Sequence, residues 1–340
     1  MNTYTEISFP AFGFQWDPGR VLSLGKLSIH YYGLIIALGM VLAVLYGWKR
    51  SRQFGIKQND IVDGVLIVVP IALICARLYY CFFQWKAGGY AENPISILYI
   101  WEGGLAIYGG VIGAVLAIMV FCKIRKINLP ALLDLVFLGF LIGQSIGRWG
   151  NFFNREAFGE ETNAFLKMGL LNSITGKVTY HHPTFLYESV WNAIGFVLLH
   201  FLSKKRKYDG QIALGYCAWY GLGRAIIEGL RTDSLYIGNT GLRVSQLLAA
   251  LSCVVSVAIL LYMSFKTHDP QRLYVNRVVL DDDTEKEEET EEAAEASEAE
   301  EATEAEEVSE EAIEAEEVSE EATESEETPE AEEATKTEEE

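Results

Sequence analysis

Long apolar stretches alternate with short polar ones through most of the chain. Runs of membrane-crossing length, about 20 residues each, fall at roughly 30–48, 61–83, 104–122, 131–147, 184–203, 211–230 and 243–265. They lack the continuous polar face that a helix of a soluble bundle keeps toward water. The pattern therefore predicts an all-α integral membrane protein with seven transmembrane helices. Before them, residues 1–29 are aromatic and turn-rich (Phe12, Phe14, Trp16, Asp17-Pro18-Gly19) and read as an ordered surface segment. Between the fourth and fifth runs lies a long connection, 148–183, with Gly159, Asn163, Gly169, Asn172-Ser173 and Gly176-Lys177. It reads as a small folded head. No signal-peptide pattern precedes the first run.

The connecting loops orient the runs. Lys49, Arg50, Arg52 and Lys57 follow the first; Lys123, Arg125 and Lys126 follow the third. Lys204 to Lys207 follow the fifth, and Lys266, Arg272 and Arg277 the seventh. Basic loops stay in the cytoplasm, so the N-terminus is expected outside, the C-terminus inside and the head outside.

Composition then divides the chain. Its 340 residues carry a formal charge of −20, but residues 281–340 alone hold 32 Asp or Glu against two Lys. Residues 1–280 are basic, with 25 Lys or Arg against 15 acids. The expected organisation is an extracytoplasmic segment (1–29), a transmembrane domain (30–280) and an acidic cytoplasmic tail (281–340). The tail repeats Glu-Ala-Glu-Glu-Val-Ser-Glu-Glu-Ala at 304–312 and 314–322. Such charge density with so few large apolar groups does not drive folding, so disorder is expected there. The five cysteines (75, 81, 122, 217, 253) form no CxxC pair or His/Cys cluster. Neither zinc, a disulfide framework nor a cofactor is expected.

Small residues recur at helical spacing: Gly139, Gly143 and Gly147 on the fourth run, Gly109 and Gly113 on the third. Such stripes let helix backbones approach closely in lipid. Ionisable groups inside spans are costly and are functional candidates by default. Here they are Arg77, Asp134, Arg148, Glu188, Arg224 and Glu228, with Glu156 and Arg231 just beyond span ends. All but Asp134 fall in the half that the orientation turns outward; Asp134 reads as structural. Arg224, Glu228 and Arg231 stand at i, i+4 and i+7, one stripe of a helix. If Arg148 faces them, the surplus positive charge suits a phosphate. The competing reading is an ion-pair brace between helices.

The polar knot at the end of the fourth run, Gly147-Arg148-x-Gly150-Asn151-Phe152-x-Asn154-x-Glu156-x-x-Gly159, resembles the signature of the bacterial prolipoprotein diacylglyceryl transferase family. Other fragments resemble the same family in the same order: His30-x-Tyr32-Gly33, Ala76-Arg77-Leu78-x-Tyr80 and Gly103-Gly104-Leu105-Ala106-Ile107-x-Gly109-Gly110. His182-Pro183-Thr184-x-x-Tyr187-Glu188 and Arg224-x-x-x-Glu228-x-x-Arg231 follow. The resemblance covers about residues 20–265. One position departs: Tyr108 stands where relatives often have His.

The resemblance implies a bacterial cell-membrane enzyme whose site faces the outer leaflet. It implies transfer of diacylglyceryl from phosphatidylglycerol to the lipobox cysteine thiol of a prolipoprotein signal peptide, leaving glycerol 1-phosphate. Membrane lipids and the signal peptide are the expected partners; nucleic acid is not. Thiolate is the nucleophile, and the charge on the departing phosphate needs stabilisation. Arg148 and Arg224 are assigned to the phosphate, and Glu228 to orienting arginine. Asn151, Glu156, Gly159 and Arg231 complete the lipid site. Tyr32, Tyr108 and His182 are the candidates for proton removal, with no choice among them. A transporter or lipid-binding protein using the same positive cavity is the competing class; it predicts lipid flux without covalent change.

Overall fold

A computed structural model describes residues 4–24, 27–232, 236 and 243–278. The acidic tail anticipated at 281–340 lies outside the described residues. Seven α-helices follow the apolar runs: α1 Tyr31–Arg50, α2 Gln58–Phe83, α3 Ile107–Arg125, α4 Leu129–Asn154, α5 Thr184–Ser203, α6 Gln211–Ile227 and α7 Val244–Ser264. All except α6 are long and apolar enough to cross a membrane. Their outward faces carry exposed Leu66, Leu116, Val197 and Val254. Exposed apolar surface of this extent suits lipid rather than water.

The sixth element departs from the expected span over 211–230. Its α-helix has 17 residues, and the chain then tightens into a 3-10 turn, Glu228–Leu230. The backbone just beyond is taken up by the head: Glu160 N–H donates to Leu230 O at 2.7 Å, and Arg231 bridges Gly159. Gly229 weakens the helix at this turn, and the pairing with the head holds the backbone out of it.

An all-α fold is also corrected. Strands β1 (Tyr4–Phe9), β2 (Phe14–Trp16), β5 (Met168–Asn172) and β6 (Val178–His181) form an antiparallel sheet in the order β2-β1-β5-β6. Ile7 stands opposite both Trp16 and Leu170. Strands β3 (Val21–Leu24) and β4 (Leu27–His30) make a separate hairpin that leads into α1. The N-terminal segment and the connection after α4 are thus one body. Both strands of the central pair are short, and a pairing so distant in sequence leaves no hairpin signal. Buried Ile7, Phe9, Met168 and Leu170 pack with Phe152 of α4 and Phe185 of α5. That cluster fastens the head to the helices carrying the polar motifs.

Glycines set the helix spacing, as the stripes predict. A Cβ on Gly39 of α1 would stand 3.3 Å from Gly143 O of α4, and one on Gly109 of α3 2.3 Å from the Tyr79 Cβ of α2. Gly147 meets nothing within 4 Å, so the α4 stripe has two working members. The cysteines are free among the described residues.

Candidate active site

The end of α4 differs from its expected course. The apolar run stops at 147, yet the helix continues to Asn154 before Arg155 caps it at φ +53°. Two further turns are stable because they bury Gly150 and Phe152 against α1 and the head. A Cβ on Gly150 would lie 2.7 Å from the Tyr32 ring. Arg148 and Asn151 are therefore helical residues held at a fixed angle, not loop residues.

Arg148 meets the start of α5. Its Nη2 lies 2.6 Å from Glu188 Oε2. Glu188 Oε1 accepts from Arg224 at 2.9 Å and stands 3.3 Å from Arg231. Arg224 also pairs with Glu228 at 2.5 Å. One carboxylate thus gathers three guanidiniums from three chain segments, and a second supports one of them. Three cations against two anions leave one positive charge unmatched within this set. Glu188 and Glu228 are sealed, with side chains 5 % and 2 % exposed, whereas Arg148 and Arg224 keep 22 % and 17 %. The open side of the cluster is cationic. Arginine exposed in this way can present guanidinium N–H groups to a phosphate.

The expected stripe of Arg224, Glu228 and Arg231 is bent. Arg224 and Glu228 keep their i, i+4 contact, but Arg231 stands in extended backbone after the 3-10 turn and reaches back to Glu188. The early end of α6 is the cause. Glu228 is fixed further by the Ser245 hydroxyl at 2.6 Å, and its carbonyl accepts from Arg243 of the next segment. Arg243 also pairs with Glu160 at 3.6 Å.

Asn151 donates to Glu156 Oε1 at 3.0 Å, and Asn154 to the same oxygen at 3.3 Å. The two amides so hold an exposed carboxylate beside the cluster. Gly159 is closed in by its neighbours: a Cβ there would meet His182 Cβ at 2.7 Å and Leu230 O at 2.8 Å. Its close approach joins the head to the ends of α5 and α6. Tyr32 packs across Gly150 and lies within electrostatic reach of Arg148 and Glu156. His182 meets the Tyr187 hydroxyl at 3.3 Å through Nδ1. Tyr108 opens α3, half-exposed, and among the described residues it makes no hydrogen bond to the cluster.

Glu188, an ionisable group in a span and the last residue of the His182-Pro183-Thr184-x-x-Tyr187-Glu188 fragment, was given no role by sequence reasoning and is the centre of the cluster. Its signal was position: an acid one turn inside a span needs cationic partners from other segments. Three other charged groups serve the scaffold. Arg77 donates to the carbonyls of Ser96, Ile97, Gly103 and Gly104. It pins the chain between α2 and α3 and stands apart from the cluster. Arg155 is buried and donates to Asp17 and to Pro18 O at 2.7 Å, tying the N-terminal segment to α4. Burial draws its pKa below the usual guanidinium value, and Asp17 pulls it back up. Asp134 accepts from Gly210 N at 2.9 Å and Ala213 N at 2.8 Å, capping α6 as a structural acid should.

Residues 20–262 match the family model described as "Prolipoprotein diacylglyceryl transferase". The chain is 41 % identical over 255 residues to the phosphatidylglycerol–prolipoprotein diacylglyceryl transferase of Bacillus licheniformis, covering 73 % of this chain and 93 % of that one. The enzyme of the same name from Listeria monocytogenes serovar 1/2a is 42 % identical over 260 residues, 75 % of this chain and 92 % of its own. That of Lactiplantibacillus plantarum is 42 % identical over 258 residues, 73 % and 89 % respectively. The matched region contains every helix except the last residues of α7, and all the site residues. With this match, its signature and its helices, this multi-pass membrane protein belongs to the prolipoprotein diacylglyceryl transferase family.

Proposed function

We propose that the chain transfers the diacylglyceryl group of phosphatidylglycerol to the cysteine thiol of a prolipoprotein lipobox, at the cluster around Glu188. The observation that carries this reading is the surplus positive charge on the partly open Arg148 and Arg224, set on helices of a known transferase family. The thiolate sulfur attacks the glycerol carbon bearing the phosphate ester. A C–S bond forms, the C–O bond breaks, and glycerol 1-phosphate leaves with the electron pair. Arg148 and Arg224 bind that phosphate and stabilise its growing charge. Arg231, Glu228 and Glu188 hold the guanidiniums in place, and Asn151 and Glu156 orient the glycerol head group. Gly159 keeps the head close enough for these groups to share one space.

Of the three candidate proton acceptors, His182 suits the task best. An imidazole offers a lone pair directly, whereas a phenol offers a comparable base only after losing its own proton. Its contact with the Tyr187 hydroxyl fixes the ring and leaves the second nitrogen for substrate. Tyr32 and Tyr108 serve as hydrogen-bonding groups, Tyr32 beside Arg148 and Tyr108 at the mouth of α3. The basic loops between α1 and α2, α3 and α4, and α5 and α6 support an orientation with the cluster in the outer leaflet of a bacterial cell membrane. The N-terminus is then outside, and residues 30–280 act as one catalytic domain below the head. Residues 281–340 form a cytoplasmic tail without a catalytic part.

Purified protein in liposomes containing phosphatidylglycerol, given a lipobox peptide, should yield a peptide heavier by one diacylglyceryl group in thioether linkage. Unmodified peptide, beside an active relative as control, would remove the reading. Movement of lipid across the bilayer without product would favour the transporter class.

A further inference from the structure

Helices in lipid gain little from hydrophobic burial against one another, so their register depends on packing and on cross-helix hydrogen bonds. Two such devices flank Glu188. Between α5 and α6, Trp191 Nε1 donates to Trp219 O at 3.0 Å, and Trp219 Nε1 donates to Trp191 O at 2.9 Å. The two rings stack with centroids 4.4 Å apart and planes 18° from parallel. Each indole also lies on a glycine of the other helix. A Cβ on Gly223 would stand 2.2 Å from Trp191 Nε1, and one on Gly195 2.3 Å from Trp219 Nε1.

Between α4 and α5 the pattern repeats with smaller groups. Ser145 donates to Ser189 O at 2.9 Å, and Ser189 donates to Ser145 O at 2.8 Å. Trp149 Nε1 adds a bond to Ser189 Oγ at 3.2 Å. Both locks stand beside the charges. Ser189 follows Glu188 directly, Trp191 is three positions on, Gly223 precedes Arg224, and Ser145 is one turn before Arg148. The Glu188 contacts to Arg148 and Arg224, at 2.6 and 2.9 Å, leave little room for error. Sliding α5 by one residue would move the carboxylate by about 1.5 Å and break both.

We propose that Trp191 with Trp219, and Ser145 with Ser189, are positioning pairs that fix α5 in register so that Glu188 presents Arg148 and Arg224 together. The inference rests on the transferase reading above for its kinetic consequence. It concerns no contact with substrate: the pairs act through Glu188.

Trp219→Phe keeps a ring and removes the donor. In full-length protein in liposomes, kcat should fall about tenfold to hundredfold, as misplacement by about 1 Å does. The KM for a lipobox peptide and the thermal midpoint should stay near wild type. Ser189→Ala should cost less. The double variant should lose less than the product of the two single losses, because both act on one carboxylate. Exposed Trp101, far from either lock in sequence, gives the control Trp101→Phe, with wild-type kcat. Nitroxides attached at the exposed Leu198 of α5 and Leu222 of α6 read the register without any turnover. Their distance distribution should be narrow in the wild-type background and broad with Trp219→Phe. If Trp219→Phe fails to fold, benzothienylalanine at 219, which has the shape of indole but no N–H, carries the same readings. Unchanged kcat in both single variants, or an unchanged distance distribution, overturns the proposal. So do losses that multiply and follow the thermal midpoint. An inactive wild type counts against the transferase reading alone, since the distance measurement still judges the locks.

Discussion

Arginine is buried at both ends of the helix bundle, and the two ends use it differently. At the head end, Arg148, Arg224 and Arg231 share Glu188, and two of them stay partly open. At the other end, Arg50 of α1 donates to the Tyr46 hydroxyl at 3.1 Å and to Ser203 Oγ at 3.0 Å, and meets His200 Nδ1 at 2.8 Å. It lies over the Phe54 ring, as does Arg206, whose guanidinium is 4.1 Å from the centroid. Arg206 has a side chain only 5 % exposed, with Asp209 at 3.9 Å. Burial lowers its pKa from the usual guanidinium value, and Asp134 and Asp209 oppose that shift. This second network is sealed from solvent by aromatic faces and hydroxyls around Arg50, with Asp134 and Asp209 near Arg206. Here the buried arginines differ in access: those of the Glu188 cluster stay partly reachable, whereas Arg50 and Arg206 are sealed.

Substitutions that separate the two ends break or sharpen this contrast. The largest effect belongs to Arg148→Ala, which should lower kcat by about a hundredfold to a thousandfold with the thermal midpoint nearly unchanged. Retained turnover would place the phosphate elsewhere. Arg50→Met should do the reverse. Specific activity at low temperature stays near wild type, while stability falls by roughly 1–3 kcal/mol for the lost charge-assisted hydrogen bonds, read by thermal unfolding in detergent. A loss of activity without a loss of stability would erase the distinction between the ends. Asp134→Ala should destabilise by about 1–2 kcal/mol, the usual cost of removing a helix cap, again without a change in KM for phosphatidylglycerol. The smallest effect is expected at Tyr108. Tyr108→Phe should change kcat by less than about threefold, on the scale of a single exposed hydrogen bond. A larger loss would move the proton acceptor from His182 toward the mouth of α3.

Much of this protein was legible before folding was considered. The seven apolar runs became seven helices, six of them long and apolar enough to cross a membrane, because a run of that length in lipid has one way to satisfy its backbone. The signature at 147–159 was legible because its residues are close in sequence, and Asp134 was read as structural because it stands alone at the far end. Other features were not legible. The sheet joins Tyr4–Phe9 to Met168–Asn172, and a pairing that distant has no local period to reveal it. The stop of α6 at Ile227 was not legible either: Gly229 weakens the helix there, but the backbone bonds of Leu230 and Arg231 to the head appear only in the fold.

By itself, then, the sequence determined the number and order of the helices (though not the ends of α4 and α6), which segment carries the charge and which family the motifs resemble, since each depends on neighbours along the chain. Only the tertiary structure decided that Glu188 is the centre, that Arg231 leaves its stripe and that Arg77 belongs to the scaffold. Charge selects partners through space, and Arg148, Glu188 and Arg224 become neighbours only when α4, α5 and α6 are locked side by side.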